Sequence, residues 1–273
     1  MDEVVKTAKL ESISVIREVT NPFPGLRPFG IEESHLFFGR EGQSEEVLLK
    51  LSKNRFVAVI GASGTGKSSL IYCGLVPILY GGFIASAGSR WRIIASRPGS
   101  GPINNMAESI VKSAFSEESD KTKQLKTAFY GAMLRRSSLG LVEALRNIPN
   151  TGNENILLLV DQFEELFRYR ISRKGQESVN ESEAFVKLLV EAVNQVELPV
   201  YIVITMRSDF IGECSNYQEL TSLINRSNYL IPQMTRNDFR DAIIGPVAVG
   251  NAKIEAVFGC SRKGTFDAPG IGR

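Results

Sequence analysis

The residues best suited to chemistry in this chain are Gly61, Ala62, Ser63, Gly64, Thr65, Gly66, Lys67 and Ser68, a GxxxxGKS pattern. Glycines let consecutive backbone N–H groups curl around an anion, and the N-terminus of a following helix adds positive potential. Lys67 can reach the β- and γ-phosphates of a nucleoside triphosphate, while the Ser68 hydroxyl can take a position on Mg2+. The pattern demands a strand before it and a helix after it. Both are legible: Phe56-Val57-Ala58-Val59-Ile60 is an apolar run, and Lys67-Ser68-Ser69-Leu70-Ile71 opens a helical pattern. The spacing therefore predicts a nucleoside triphosphate site. A glycine-rich turn that spelled the motif by chance would not need that context.

Two more apolar runs end in charged groups. Ile156 to Val160 reads as a strand buried on both faces, and Asp161 follows it directly. A carboxylate at the C-terminal end of such a strand can hold the water shell of a Mg2+ bound by Ser68; the plainer reading is a helix cap. Glu164 and Glu165 come at the opening of the next helix. Hydrolysis needs a group that orients or deprotonates water, and Glu164 is the candidate, although helix N-termini favour Glu anyway. Pro199 to Met206 reads as another buried strand, closed by Arg207, Ser208 and Asp209. Arg207 can sense a γ-phosphate through a charge-assisted hydrogen bond, or it can pair with Asp209 at a helix start.

Strands must alternate with helices to carry these groups. Trp91 to Ser96 and Asn228 to Ile231 complete five strands. Helices are expected from Glu41 (with Val47, Leu48 and Leu51 inward), from the phosphate loop toward Leu79, over Met106–Phe115, Lys123–Leu134, Ser138–Ile148 and Glu181–Val196, and from Thr235, where Asp238 completes a capping box. The alternation predicts an α/β fold with a parallel sheet. Asn21 to Gln43, rich in Pro, Gly and aromatics, reads as an ordered loop without regular helix or strand, anchored by Phe23, Leu26, Phe29, Leu36, Phe37 and Phe38.

Over 273 residues the net charge is only +2, which makes no case for nucleic-acid or membrane binding. Arg90, Arg92 and Arg97 read as solvated strand ends. No apolar run reaches the length of a membrane span, and the N-terminus is too charged for a signal peptide, so a cytoplasmic location is expected. Cys73, Cys214 and Cys260 show no metal spacing and read as reduced thiols. The single histidine, His35, excludes a multi-histidine metal site.

In this order NPFPGLRPF, LFFGRE, VAVIGASGTGKSSL, LLLVDQFEELF, ITMRSDF and AIIGPVAVG resemble the bacterial novel STAND NTPases, AAA+-related P-loop proteins of signal transduction. The resemblance runs over residues 21 to 258. It implies a three-layer α/β/α P-loop fold with a parallel core sheet of order 5-1-4-3-2, followed by the start of a helical lobe. It further implies that Phe38, Gly39, Arg40 and Glu41 lie against adenine and ribose, that Gly61 to Ser69 bind the phosphates, that Asp161 is the Walker B carboxylate and that Arg207 is the sensor arginine. ATP, ADP and Mg2+ are the implied ligands, and slow hydrolysis resets a switch that permits homo-oligomers and activates fused or separate effector and sensor modules. Gln162 follows Asp161 where many related ATPases carry an acid, so turnover is expected to be weak, with Glu164 as substitute.

The expected division is a tail at 1–20, the NTPase core at 21–232, the start of the lobe at 233–258 and a disordered or aberrant end at 259–273 that reads as truncated or frame-shifted. Two rivals stand beside the switch. One is a degenerate interaction module whose adenine pocket is left open by the missing lobe; the other is a P-loop kinase of small molecules, for which no arginine-rich lid is evident.

Overall fold

The computed structural model describes residues 21–84, 88–149, 154–172, 176–198 and 200–250; the expected tails at 1–20 and 259–273 lie outside the described residues. Among the described residues five strands form one sheet: β1 (Phe56–Gly61), β2 (Trp91–Ser96), β3 (Asn155–Val160), β4 (Val200–Arg207) and β5 (Asn228–Leu230). Their order is β2-β3-β4-β1-β5, and every pairing is parallel. Read from the opposite edge this is 5-1-4-3-2.

Strand alternation splits the apolar residues between two cores. Phe56, Ala58, Ile60, Ile156, Leu158, Val160, Ile202 and Ile204 face one side. There they pack on α4 (Pro102–Ala114), α5 (Asp120–Arg136), α6 (Gly140–Arg146), α7 (Glu165–Ser172), α8 (Gln176–Asn194) and α9 (Gln218–Arg226). Val57, Val59, Leu157, Leu159 and Val203 face the other, against α1 (Gln43–Asn54) and the helix after the phosphate loop. Continuous apolar strands thus require a helical layer on each face, which yields the three-layer fold.

The helix after the phosphate loop is not uniform. α2 (Lys67–Ser69) passes through a π-helical turn, Leu70–Leu75, into α3 (Val76–Tyr80). Pro77 has no N–H to give the preceding turn, a recognised cause of such a distortion. α1 crosses closely at Gly74, where a Cβ would collide with Ser44 Oγ.

The segment before α1 departs from expectation in two ways. It contains a short 3-10 helix, Ile31–Leu36, whose Gly30 N–H donates to Glu33 Oε2 at 2.8 Å. Leu26 is no anchor but fully exposed, and Phe23 is exposed too; Phe29, Leu36, Phe37 and Phe38 are partly buried. The last helix among the described residues, α10 (Arg236–Val249), carries the expected capping box between Thr235 and Asp238. Among the described residues no helix is long and apolar enough to cross a membrane.

Candidate functional site

All strands run the same way, so the segments leaving β1, β2, β3 and β4 emerge at one edge of the sheet. The register pairs Ser96 with Val160 and Val160 with Ile204. The next residues, Arg97, Asp161 and Thr205, are therefore brought together. Asp161 is 1% exposed. Its Oδ1 accepts from Ser68 Oγ and from Thr205 Oγ1, each at 2.7 Å. Its Oδ2 accepts from Arg97 Nε at 3.1 Å and Nη2 at 2.8 Å. Thr205 Oγ1 also accepts from the Gln162 N–H at 3.0 Å, supporting a turn in which Gln162 adopts φ 56°. The phosphate loop and the carboxylate after β3 thus meet through a direct contact.

Within the loop Gly64 and Gly66 have φ of 76° and 84°, a region that favours glycine. Ala62, Ser63 and Gly64 are exposed. Lys67 Nζ donates to the carbonyls of Gly61 (3.0 Å) and Ala62 (2.7 Å) and so lies folded along the loop. Burial lowers the pKa of Lys67, while the charges of Glu164 and Asp161 oppose that shift. A phosphate would give this cation a partner of opposite charge. Ser69 is buried, and its Oγ accepts from the Phe29 N–H at 3.2 Å.

Beside the loop is a cavity of about 400 Å3, walled by Phe29, Leu36, Phe37, Phe38 and Arg40 on one side, residues 63–66 and Ser69 at its base, and Gln233, Met234, Phe239 and Ala242 opposite. An apolar slot next to a phosphate loop suits a flat heterocycle. Gly39, at φ 81°, passes so close to α10 that a Cβ would sit 2.4 Å from the Asp238 carbonyl oxygen. Phe38 is pressed likewise against Gly245. Arg40 is 7% exposed and donates to the carbonyls of Thr65 and Pro232, both at 2.8 Å, and to Gln43 Oε1 at 3.2 Å. Its guanidinium ties the phosphate loop to the segment entering α10; burial lowers its pKa.

Glu164 is 5% exposed and accepts from the Arg207 N–H at 3.3 Å. The Arg207 side chain takes the pairing with Asp209 that the sequence left open, at 3.1 and 2.6 Å, and those hydrogen bonds raise its pKa. Gly61 and Arg207 are register partners, so Arg207 begins beside the phosphate loop even though its guanidinium is turned to Asp209.

The oxygen donors Ser68 and Asp161 fit Mg2+, which takes one or two protein oxygens and completes its shell with phosphate and water. Among the described residues no cluster of three or more His, Cys, Asp or Glu offers an all-protein metal cage. Sequence reasoning missed two members of this site. Arg97 read as a solvated strand end, yet it is the ionic partner of Asp161; Arg92 is likewise paired, with Glu154 at 2.9 Å. Thr205 lay inside an apolar run and drew no notice. The available signal for Arg97 was its place one residue beyond a strand, the same place that singled out Asp161.

The family model described as Novel STAND NTPase 1 matches residues 22–259. Among solved structures, the ORC2 protein of Aeropyrum pernix, in ADPNP–ADP complexes, superposes with a TM-score of 0.54 at 13% identity, covering 85% of this chain and 55% of that one. A Walker-type ATPase of Pyrococcus abyssi gives 0.46 at 17% identity, covering 84% of this chain and 63% of that one. The chain therefore spans less than two thirds of either structure. Among curated proteins none matches. The first likeness shows a P-loop NTPase fold.

Proposed function

The chain belongs to the novel STAND NTPase 1 family, and on that premise we propose that it binds ATP and ADP with Mg2+ and serves as a nucleotide-dependent signalling switch with slow hydrolysis. The observation that carries this reading is the hydrogen bond between Ser68 and Asp161, 2.7 Å long, at the mouth of an intact phosphate loop. In this reading residues Gly61 to Ser69 cradle the phosphates, Lys67 meets the β- and γ-phosphates, and Ser68 and Asp161 hold the metal. Bound Mg2+ would neutralise charge on the phosphate oxygens. Phe38, Gly39 and Arg40 border the base and ribose.

Slow hydrolysis is supported by the resting positions of two groups. Glu164, the residue that would orient water, is buried and engaged by the Arg207 N–H. The Arg207 guanidinium, the γ-phosphate sensor of this reading, is held by Asp209. Both must reorganise before they can act, and Gln162 supplies no carboxylate beside Asp161.

The switch is supported by the shared cavity. Its walls come from the core, residues 21–232, and from the beginning of the lobe at 233, and Arg40 ties the phosphate loop to Pro232, the residue that leads into the lobe. A ligand that fits one lobe position better than another shifts the balance between them. That balance is what effector modules, sensor modules or further copies of the chain would read, in a cytoplasmic signalling protein.

Calorimetric titration with ADP and ATP, with and without Mg2+, tests the proposal. Micromolar or tighter binding that Mg2+ strengthens and Lys67→Ala removes is expected. A folded protein without binding would overturn it and leave an interaction module.

A further inference from the structure

The geometry points to Arg97 as a built-in counter-cation that competes with Mg2+ for the charge of Asp161, so that loading the metal with the nucleotide weakens the Arg97 pairing. This inference rests on the proposed nucleotide site and concerns its regulation.

Both carboxylate oxygens of Asp161 are fully engaged: Ser68 and Thr205 hold Oδ1, and the two Arg97 nitrogens hold Oδ2. Taken together, the carboxylate is 1% exposed while the Arg97 side chain is 49% exposed. The buried charge therefore stays, and the half-exposed cation is the member able to move. Arg97 opens a turn, Arg97-Pro98-Gly99, in which Gly99 has φ 54°. The Gly99 N–H donates to Glu165 Oε2 at 3.0 Å. Glu165 also contributes attraction to the Arg97 guanidinium and is the alternative counter-ion on that side.

Arg97 is held on Oδ2 while Ser68, the other residue of the proposed metal site, is on Oδ1, so the two cations would share the charge of one carboxylate and repel each other across it, and the equilibria are linked. What the Arg97 pairing takes from Mg2+ affinity, Mg2+ takes from the pairing. The ion pair thus preserves a compensated buried charge without nucleotide and raises the Mg2+ concentration at which the loaded state forms. Arg97 is a positioning residue in this scheme, acting through Asp161.

The test is a Mg2+ titration of fluorescent-ADP binding, with thermal unfolding measured in EDTA and in Mg2+–ADP, on wild type, Arg97→Gln and Arg97→Lys. Arg97→Gln is expected to lower the half-saturating Mg2+ concentration by at least about fivefold, the lower end of usual coupling between linked sites. It is also expected to melt lower than wild type in EDTA and to recover most of that loss in Mg2+–ADP. Arg97→Lys keeps a cation with a single point of contact; its half-saturation should fall between the two, and it preserves the test should Arg97→Gln not fold. An unchanged or raised Mg2+ requirement in a folded variant overturns the inference while leaving nucleotide binding intact. A loss of melting temperature that is equal in EDTA and Mg2+–ADP also overturns it, because the pair is then structural only. Wild type that binds no ADP at any Mg2+ concentration overturns the proposed site itself.

Discussion

Arg97 Nη2 lies 2.8 Å from Asp161 Oδ2, where the pairing of Ser96 with Val160 delivers the two residues side by side. The carboxylate is enclosed, and its other oxygen is held by two hydroxyls. A negative charge so placed at the end of a central strand serves a cation. For Asp161→Asn the expected outcome is that ADP still binds in the absence of metal through Lys67 and the loop, while Mg2+ no longer tightens it. Titration calorimetry with and without Mg2+ checks this. A variant that keeps the full Mg2+ effect would show that the metal is held elsewhere.

Thr205 is 1% exposed and serves two partners, donating to Asp161 and accepting from the Gln162 N–H. Thr205→Val keeps the shape and removes both hydrogen bonds. It should destabilise the protein by about 1–3 kcal/mol, the usual cost of stranding a buried polar group, whereas Thr205→Ser should regain most of it. Chemical denaturation of the two variants reads this directly. Equal stability for Thr205→Val and wild type would show that the hydroxyl bears no part of the turn.

Much of this was legible in the sequence, for identifiable reasons. β1, β3 and β4 stood out because burial on both faces forces continuous apolar runs such as Leu157-Leu158-Leu159, and the phosphate loop carries its spacing within eight residues. The sheet order came through resemblance to a family, since local periodicity does not encode which strands adjoin. Arg97 was read as solvated because its partner is 64 residues away and reached only through strand register. α8 begins at Gln176, ahead of the expected Glu181, because Gln176 to Asn180 is polar but for Val179 and the apolar period that marked the helix starts later. Leu26 looked like an anchor, yet an apolar residue type in a loop says nothing about which way its side chain turns.

Gly39 is the point where the N-terminal segment meets α10. Its φ of 81° and the 2.4 Å approach of the Asp238 carbonyl to a would-be Cβ leave no place for a side chain. Gly39→Ala is expected to cost about 1–3 kcal/mol through strain and displacement, and to weaken ADP by moving Phe38 and Arg40 from the cavity wall. Denaturation and calorimetry on one preparation would show both effects. Undiminished nucleotide affinity would mean that this segment does not contribute to the site.

The start of the 3-10 helix carries an acid-sensitive contact. Hydrogen bonds from Arg27 and from the Gly30 N–H hold the Glu33 carboxyl at about 2, below its ordinary 4.5. The folded value is depressed, so the contact is fully present above the unfolded pKa and is lost as pH falls through the folded one. The Gly30 amide resonance should therefore titrate with a midpoint near 2 and remain flat in Glu33→Gln. A wild-type midpoint at the ordinary value would show that the Arg27 pair does not persist in solution.

In the proposed site the phosphate loop and the start of the lobe share one nucleotide, and Arg40 ties the loop to Pro232 at the entry to the lobe. Hydrogen exchange during an ADP titration in Mg2+ tests it most directly. Protection should grow at residues 62–68 and at 233–245 along one saturation curve, and both responses should vanish in Lys67→Ala. Protection confined to the phosphate loop, with α10 unchanged at saturating ADP, would contradict it.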